Sequence, residues 1–303
     1  MNALPPLPTS FRTRLTTHYG PAVESWLDSV PDLLDAAGRK WKLRLTGYHD
    51  AGHASALATA IDPQVGPVLV KVWFDPDRYS RETAALRLWH PGGGQVVLAS
   101  DDELSAAVLR MVGARPGGDE PPPRETALVA EAIQQAHRIG RDTAPGTFPL
   151  LADHLSDEVL LRIGERRITT VYGNLAARVA PHLSAVFDDP ARRTVLHADL
   201  YRENVAFNRH GRPVLLDPLP MHGDALFDWA FWTVYYRLDL DTDARLSEAA
   251  RRTGTARVRI LPWCLLLALD GLLYYEETGD PRLNRMSFVL TTLCSYADRG
   301  MRR

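Results

Sequence analysis

Asp199, Asn204 and Asp217 are side chains of the types that phosphoryl-transfer chemistry requires. A carboxylate at Asp199 can orient and deprotonate an attacking hydroxyl. Five residues on, the neutral carboxamide of Asn204 can turn its oxygen to a Mg²⁺ ion, and Asp217 can add a charged oxygen from another segment. One residue handles the acceptor and two hold the metal. The three lie in the run Val195-Leu196-His197-Ala198-Asp199-Leu200-Tyr201-Arg202-Glu203-Asn204-Val205 and in Leu215-Leu216-Asp217-Pro218. Either fragment alone would suit a surface turn. Their joint spacing is what points to a site.

The surrounding pattern supplies the elements to position them. Residues 194–196 read as a short strand entering the loop and 205–207 as one leaving it. A turn signal follows at Asn208-Arg209-His210-Gly211, and 213–216 form a return strand. The expected product is a hairpin with both metal ligands near one end. As H-x-D-L-x-x-x-N followed by an apolar strand ending in Asp, the run matches the catalytic loop and metal-binding Asp of kinase-type transfer.

A second group of candidates lies in the first third of the chain. Residues 9–37 carry apolar positions at helical spacing with Pro21 and Pro31 as starts or breaks, so two amphipathic helices should precede a sheet that begins near Trp41. Strands are expected over 41–45, 54–61, 68–73, 96–99 and 106–112. Lys71 interrupts the apolar run Val68-Leu69-Val70-Lys71-Val72-Trp73, where a charge needs a partner or a ligand. A kinase-type fold uses such a lysine on the α and β phosphates, with a glutamate on the next helix as its helper, and Glu82 has that position. The alternative is an edge-strand lysine reaching solvent. Between the first two strands, Gly47, Gly52 and Ser55 could lie over phosphates, though a plain hairpin turn explains the glycines equally well. Backbone groups at Arg110, Met111 and Val112, where a hinge should follow the last strand, would meet the adenine edge.

From Arg124 the pattern turns helical, over 126–139, 150–163 and 168–187, then 246–252, 260–277 and 284–296. His137 reads as a structural helix-end residue. In Met221-His222-Gly223-Asp224-Ala225-Leu226-Phe227-Asp228-Trp229-Ala230, Asp224 and Asp228 sit at a helix start, and Asp228 should bind the backbone of the catalytic loop or His197. The last helices should wall an acceptor pocket. Asp270, Glu276 and Glu277 could meet a cationic acceptor, Asp224 could face the acceptor, Trp229 could offer a flat surface, and Tyr201, close to Asp199, could alter which acceptor is tolerated; such aromatics are more often core, and such carboxylates solvated.

The whole chain sets bounds on these readings. At 303 residues it calls for two lobes, 1–112 and 113–303, the second holding the catalytic loop 195–205, the metal segment 214–228 and the acceptor pocket. With 35 basic against 37 acidic residues the net charge is −2, which favours neither nucleic acid nor membrane. Residues 1–10 lack a signal-peptide pattern, and the apolar run 260–269 is too short to span a bilayer, so a cytoplasmic protein is expected, as monomer or homodimer. Cys264 and Cys294 have no metal-ligand spacing and read as core thiols.

Together, the loop from Val195 to Val205 and the segment Leu216-Asp217-Pro218-Leu219-Pro220-Met221-His222-Gly223-Asp224 resemble the aminoglycoside phosphotransferase family, in its streptomycin 6-kinase and hydroxyurea phosphotransferase branch. The resemblance is specific from about 194 to 230. It implies an α+β, bilobal protein-kinase-like fold, with a small antiparallel sheet and flanking helices in the first lobe and a mainly helical second lobe. It implies ATP or GTP with Mg²⁺, transfer of the γ-phosphoryl to a small-molecule hydroxyl, and antibiotic inactivation as the role. By carry-over Asp199 is the base and Asn204 and Asp217 the metal ligands. Ala198 stands where the family often has Gly, and Tyr201 where it often has His. A nucleoside antibiotic, an amino sugar or a host metabolite is an alternative acceptor, and a catalytically silent binding protein is the reading from another class. Protein kinases are disfavoured, since D-F-G and A-P-E are missing and no activation loop fits after Asp217.

Overall fold

In the computed structural model, residues 4–49, 54–144, 146–166, 172–186 and 188–300 are described. Two helices open the chain, α1 (Thr9–Tyr19) and α2 (Glu24–Lys40), as the 3.6-residue apolar spacing predicts. Trp41 caps α2 by donating its N–H to the Ala37 carbonyl, and the first strand begins only at Arg44. The alternation over 41–45 is therefore half turn, half strand: Lys42 takes a left-handed φ of 55° between the two.

Five strands follow, β1 (Arg44–His49), β2 (Ser55–Asp62), β3 (Gly66–Trp73), β4 (Val97–Asp101) and β5 (Ala106–Arg110), with α3 (Pro76–Trp89) between β3 and β4. They form one antiparallel sheet in the order β1-β2-β3-β5-β4. Lys71 is thus on the central strand, paired with Leu57 on one side and Ala107 on the other, and not on an edge. One sheet face packs on α1 and α2 through Phe11, Leu15, Leu27, Leu34, Val68, Val70 and Val108, all buried. Another cluster, Trp73, Tyr79, Leu86, Val97 and Leu109, lies around α3.

The chain then turns helical through α4 (Glu125–Gly140), α5 (Leu151–His154), a π-helical stretch over Leu155–Leu160, α6 (Leu161–Glu165) and α7 (Gly173–Leu183). Strand β6 (Arg193–Leu196) leads into the loop 197–204 that holds Asp199 and Asn204. The expected hairpin follows as β7 (Val205–Phe207) and β8 (Pro213–Leu215), turned at Asn208, whose carbonyl accepts from Gly211 N and whose side chain accepts from His210 N and Arg212 N. Then come β9 (Met221–Asp224), antiparallel to β6, and the helices α8 (Leu226–Tyr235), α9 (Thr242–Thr253), α10 (Arg257–Thr278) and α11 (Leu283–Gly300).

The chain divides into two compact units, Met1–Pro121 with Ala206–Asp217, and Pro122–Val205 with Pro218–Arg303. This differs from the simple cut at 112. The hairpin belongs to the first unit because Asp119 N donates to the Phe207 carbonyl at 2.8 Å, and because Val214 and Leu216 pack on the cluster around Trp73. Asp217, assigned from sequence to the later half, is thereby a residue of the first unit.

In the second unit α10 runs for 22 residues, longer than the apolar run 260–269 suggested. It is the one helix among the described residues long and apolar enough to cross a membrane, and 83% of its apolar window is buried inside the protein. It packs against α7, α8, α9 and α11.

Candidate active site

In the first unit the site is built around Lys71. Its Nζ lies 2.6 Å from Glu82 Oε1 and 2.6 Å from Asp217 Oδ1, and it sits 4.8 Å over the Trp73 ring. The lysine is 2% exposed and Glu82 is fully buried. Helix α3 is entered through Pro76 after Asp75, whose side chain accepts from Asp77 N, and Glu82 then falls in the second turn facing β3. The second Glu82 oxygen accepts from the indole N–H of Trp73 at 2.8 Å, so neither carboxylate oxygen is left without a donor. Burial alone would lower the ammonium's pKa. The charges of Asp217 and Glu82 outweigh it and hold Lys71 above its ordinary value, so it stays charged at neutral pH. Burial pushes the Glu82 carboxyl upward against the pull of the same lysine.

Asp217 takes a left-handed φ of 53° directly after Leu216, a conformation that costs a non-glycine residue energy and turns the chain sharply out of the hairpin. Its side chain is 33% exposed, in contrast to the other two members of the cluster. Of the remaining candidates in this unit, Ser55 opens β2 and is buried, and Arg110 ends β5 with its backbone N–H on the Val96 carbonyl and its Nε on the Gln95 carbonyl. Met111 and Val112 follow, half-buried. Gly47 lies within β1, whereas Gly52 falls outside the described residues.

In the second unit the loop after β6 is held by Asp228. One of its oxygens accepts from Ala198 N at 2.8 Å, the other from His197 N at 2.8 Å and from the His137 ring at 2.8 Å. Asp228 stands in the first turn of α8, is 1% exposed, and fulfils the expectation that it would bind the loop's backbone. His137 is its partner from α4, the structural role read from sequence. The Leu219 N–H closes the loop from the other side onto the His197 carbonyl. Ala198, at φ 56°, makes the turn that lets both amides point at one carboxylate.

Beyond this turn, Asn204 Nδ2 donates to both the backbone carbonyl and the Oδ2 of Asp199, each at 2.8 Å. Both acceptors are oxygens, a backbone carbonyl and a side-chain carboxyl oxygen, so the amide nitrogen is the end that faces Asp199. The carboxamide oxygen is consequently the end turned the other way. In the second unit that oxygen, and in the first unit the Asp217 carboxylate, are each hard oxygen donors of the kind Mg²⁺ takes. Among the described residues no group of three or more His, Cys, Asp or Glu side chains could hold a metal unaided.

Several acceptor candidates are corrected. Asp224 is fully buried and accepts from Arg192 at 2.6 to 3.0 Å, from Leu226 N at 2.9 Å and from Asp189 N at 3.3 Å, so it locks β9 to the start of α8 and presents nothing to an acceptor. Trp229 is 2% exposed and packs edge-on to His137 and Trp232 in the core. Asp270 is paired with Arg162 at 2.8 Å and Arg166 at 3.2 Å. Glu276 is half-buried on α10. Tyr201 is the one candidate the fold sets beside the catalytic loop with its ring in a cluster, 5.1 Å from Phe231 and 5.2 Å from Tyr235. The two arginines that neutralise Asp270 were missed because they lie more than 100 residues away in sequence.

A family described as fructosamine kinase matches residues 158–241. A streptomycin 6-kinase of Streptomyces griseus is 26% identical over 268 residues, spanning 84% of this chain and 86% of the relative. A probable ketoamine kinase of Staphylococcus aureus is 36% identical over 84 residues, which is 28% of that protein's length. Among solved structures, choline kinase LicA of Streptococcus pneumoniae superposes with a TM-score of 0.59 at 18% identity, covering 88% of this chain and all of the other. A thermostable mutant of the aminoglycoside phosphotransferase APH(4)-Ia, in ternary complex with ADP and hygromycin B, gives 0.61 at 16% identity, covering 89% and 98%. The folds are alike: a five-stranded antiparallel sheet with flanking helices, followed by a mainly helical unit.

Proposed function

We propose that this chain, which belongs to the aminoglycoside phosphotransferase and kinase-like family, moves the γ-phosphoryl of a nucleoside triphosphate to a hydroxyl of a small molecule. That it is a small-molecule kinase or phosphotransferase follows from its relatives; donor, metal and acceptor are our reading. The observation that carries this reading is the catalytic loop itself. Asp228 gathers two successive backbone N–H groups, and Asn204 ties down the carboxylate and carbonyl of Asp199, so a potential base is held in a fixed loop by a neutral amide.

In this reading Asp199 accepts a hydrogen bond from the acceptor hydroxyl, fixes its direction, and takes the proton as the oxygen bonds to phosphorus and the bond to the leaving diphosphate oxygen breaks. Lys71 neutralises phosphate charge, with Glu82 keeping its ammonium in place when Asp217 turns to another ligand. Asn204 and Asp217 would hold Mg²⁺, which when bound draws charge off the phosphates. Backbone at Arg110, Met111 and Val112 would meet the base of ATP or GTP, and Ser55 a phosphate. The streptomycin 6-kinase relative makes an aminoglycoside, and with it antibiotic inactivation, the first acceptor class to assay, followed by hydroxyurea, nucleoside antibiotics and amino sugars.

The test is nucleotide consumption across such a panel, with mass measurement of the product. Asp199→Asn should lower kcat by about a thousandfold while nucleotide affinity changes less than about threefold, the signature of a group used only in the transition state. Near wild-type turnover in a folded D199N would sink the assignment.

A further inference from the structure

In the first unit two rungs between β3 and α3 stand side by side, and only one of them is balanced in charge. In the first, Lys71 is paired across the sheet with Leu57 and faces Glu82 of α3. Its ammonium meets two carboxylates, Glu82 and Asp217, so its charge is matched before any ligand arrives. The second rung lies one step along both elements. On the sheet it is the pair Trp73 and Ser55, two positions on from Lys71 and Leu57, hence on the same face and roughly 7 Å away. On α3 it is Arg78, four residues before Glu82, hence on the same side of the helix and roughly 6 Å nearer its start. Both steps run the same way, because α3 begins just past the Trp73 end of β3.

Arg78 carries an unmatched charge. Every acid within four positions of it is engaged elsewhere: the Asp75 side chain accepts from Asp77 N at 2.9 Å, Asp77 pairs with Arg81 at 3.2 Å, and the two Glu82 oxygens accept from Lys71 and Trp73. Among the described residues the Arg78 side chain makes no ion pair or hydrogen bond, and its Nε is buried without an acceptor. A guanidinium N–H withdrawn from water is costly until something supplies an acceptor. The residue as a whole is half-buried, so a solute can still reach it. Tyr19 locates the charge from another side. Its hydroxyl donates to the carbonyl of Ala54, next to Ser55, at 2.9 Å. Burial pushes that phenol up, and the Arg78 charge is the strongest influence drawing it down, with Lys71 also contributing, so both cations surround the start of β2.

We infer that Arg78 is a second phosphate-binding cation of the donor site, meeting the polyphosphate of the nucleotide from α3 beside Lys71. This rests on the reading of Lys71 and its surroundings as the donor site. A guanidinium suits the task, since its planar fork offers paired N–H donors to two oxygens of one phosphoryl group. Lys71 brings a charge already shared with carboxylates, whereas Arg78 brings one that is not. Arg78 binds and orients the donor and moves no proton.

The experiment measures Kd for MgATP and MgGTP, and for adenosine and guanosine, by calorimetry on the full chain as wild type, Arg78→Gln and Arg78→Lys. The glutamine variant should bind the preferred triphosphate at least about fivefold more weakly, with the nucleoside unchanged, and lysine should recover part of the loss. A smaller loss in a folded R78Q overturns the inference. So does an equal weakening of nucleoside and triphosphate, which is what a purely structural arginine would give. Should R78Q not fold, wild type alone decides through labelling with phenylglyoxal, read by peptide mass. The preferred Mg-triphosphate, and not its nucleoside, should protect Arg78; equal labelling with and without it overturns the inference. Either failure leaves the phosphotransfer reading standing if wild type shows turnover that Asp199→Asn abolishes. A wild type that binds no nucleotide brings down both.

Discussion

Asp228 is the residue that holds the loop leading to Asp199. A single carboxylate collects the N–H groups of His197 and Ala198 and the ring of His137, all at 2.8 Å, from a position 1% exposed. Replacing it with Asn keeps the size but offers an NH₂ where an acceptor is needed, leaving a buried backbone N–H unmatched. We expect Asp228→Asn to cost about 1–3 kcal/mol in denaturant unfolding, with kcat falling further than nucleotide affinity because Asp199 loses its fixed approach. A variant as stable and as active as wild type would show the loop to be held elsewhere. Ala198 gives the converse case. Its φ of 56° is a left-handed conformation that glycine enters freely, so Ala198→Gly should stabilise the protein by about 0.5–1 kcal/mol after the entropy of the unfolded glycine is counted. A lower Tm for A198G would contradict this. The residue types and spacing of Asp199, Asn204 and Asp217 were legible in the chain; that Asp224 and Asp270 would be taken up by Arg192, Arg162 and Arg166 was not. Acidic residues look alike in sequence whether they face solvent, ligand or guanidinium.

At the scale of elements, the pairing of β6 with β9 ties the entry of the catalytic loop to the segment that follows Asp217 in the chain. Gly223, opposite Thr194, lets α5 lie directly on β9: an added Cβ would stand 2.3 Å from the Cβ of Leu151, both on rigid backbone. Gly223→Ala should therefore force the two elements apart at a cost of about 1–3 kcal/mol, read as a drop in Tm with the far-ultraviolet circular dichroism of the folded protein retained. An unchanged Tm would mean that α5 moves away freely. Helix α2 and strands β2 and β3 fall where the pattern predicts, because a helix that buries one face writes its period into consecutive residues and a strand covered on both faces reads as a short apolar run. Boundaries were less legible. Trp41 continued the alternation of β1 but serves as the cap of α2, since a helix end is decided by which N–H and carbonyl groups find partners and not by hydrophobicity.

For the whole molecule, a small-molecule kinase or phosphotransferase of this fold was readable from a few dozen residues, because the chemistry of phosphoryl transfer demands particular donors at short, rigid spacings. The pairing of Lys71 with Glu82 was likewise inferable from strand and helix periods plus the need of a buried charge for a partner; the equal 2.6 Å contact of Lys71 with Asp217, read from sequence only as a metal ligand, was not. The path of the chain was not readable. Residues 206–217 leave the second unit, complete the cluster around Trp73, and return, so that Asp199 and Asp217 belong to different compact units although 18 positions apart. Nothing local announces this, since Val214 and Leu216 are ordinary strand residues whose partners lie more than 100 positions away. The same holds for acceptor choice. The amino-acid order determines which groups can do chemistry, since reactivity resides in side-chain type and near-neighbour spacing. Which carboxylates stay open to a ligand is decided only when long-range packing has brought each arginine to the acid it neutralises, and that pairing exists in three dimensions alone.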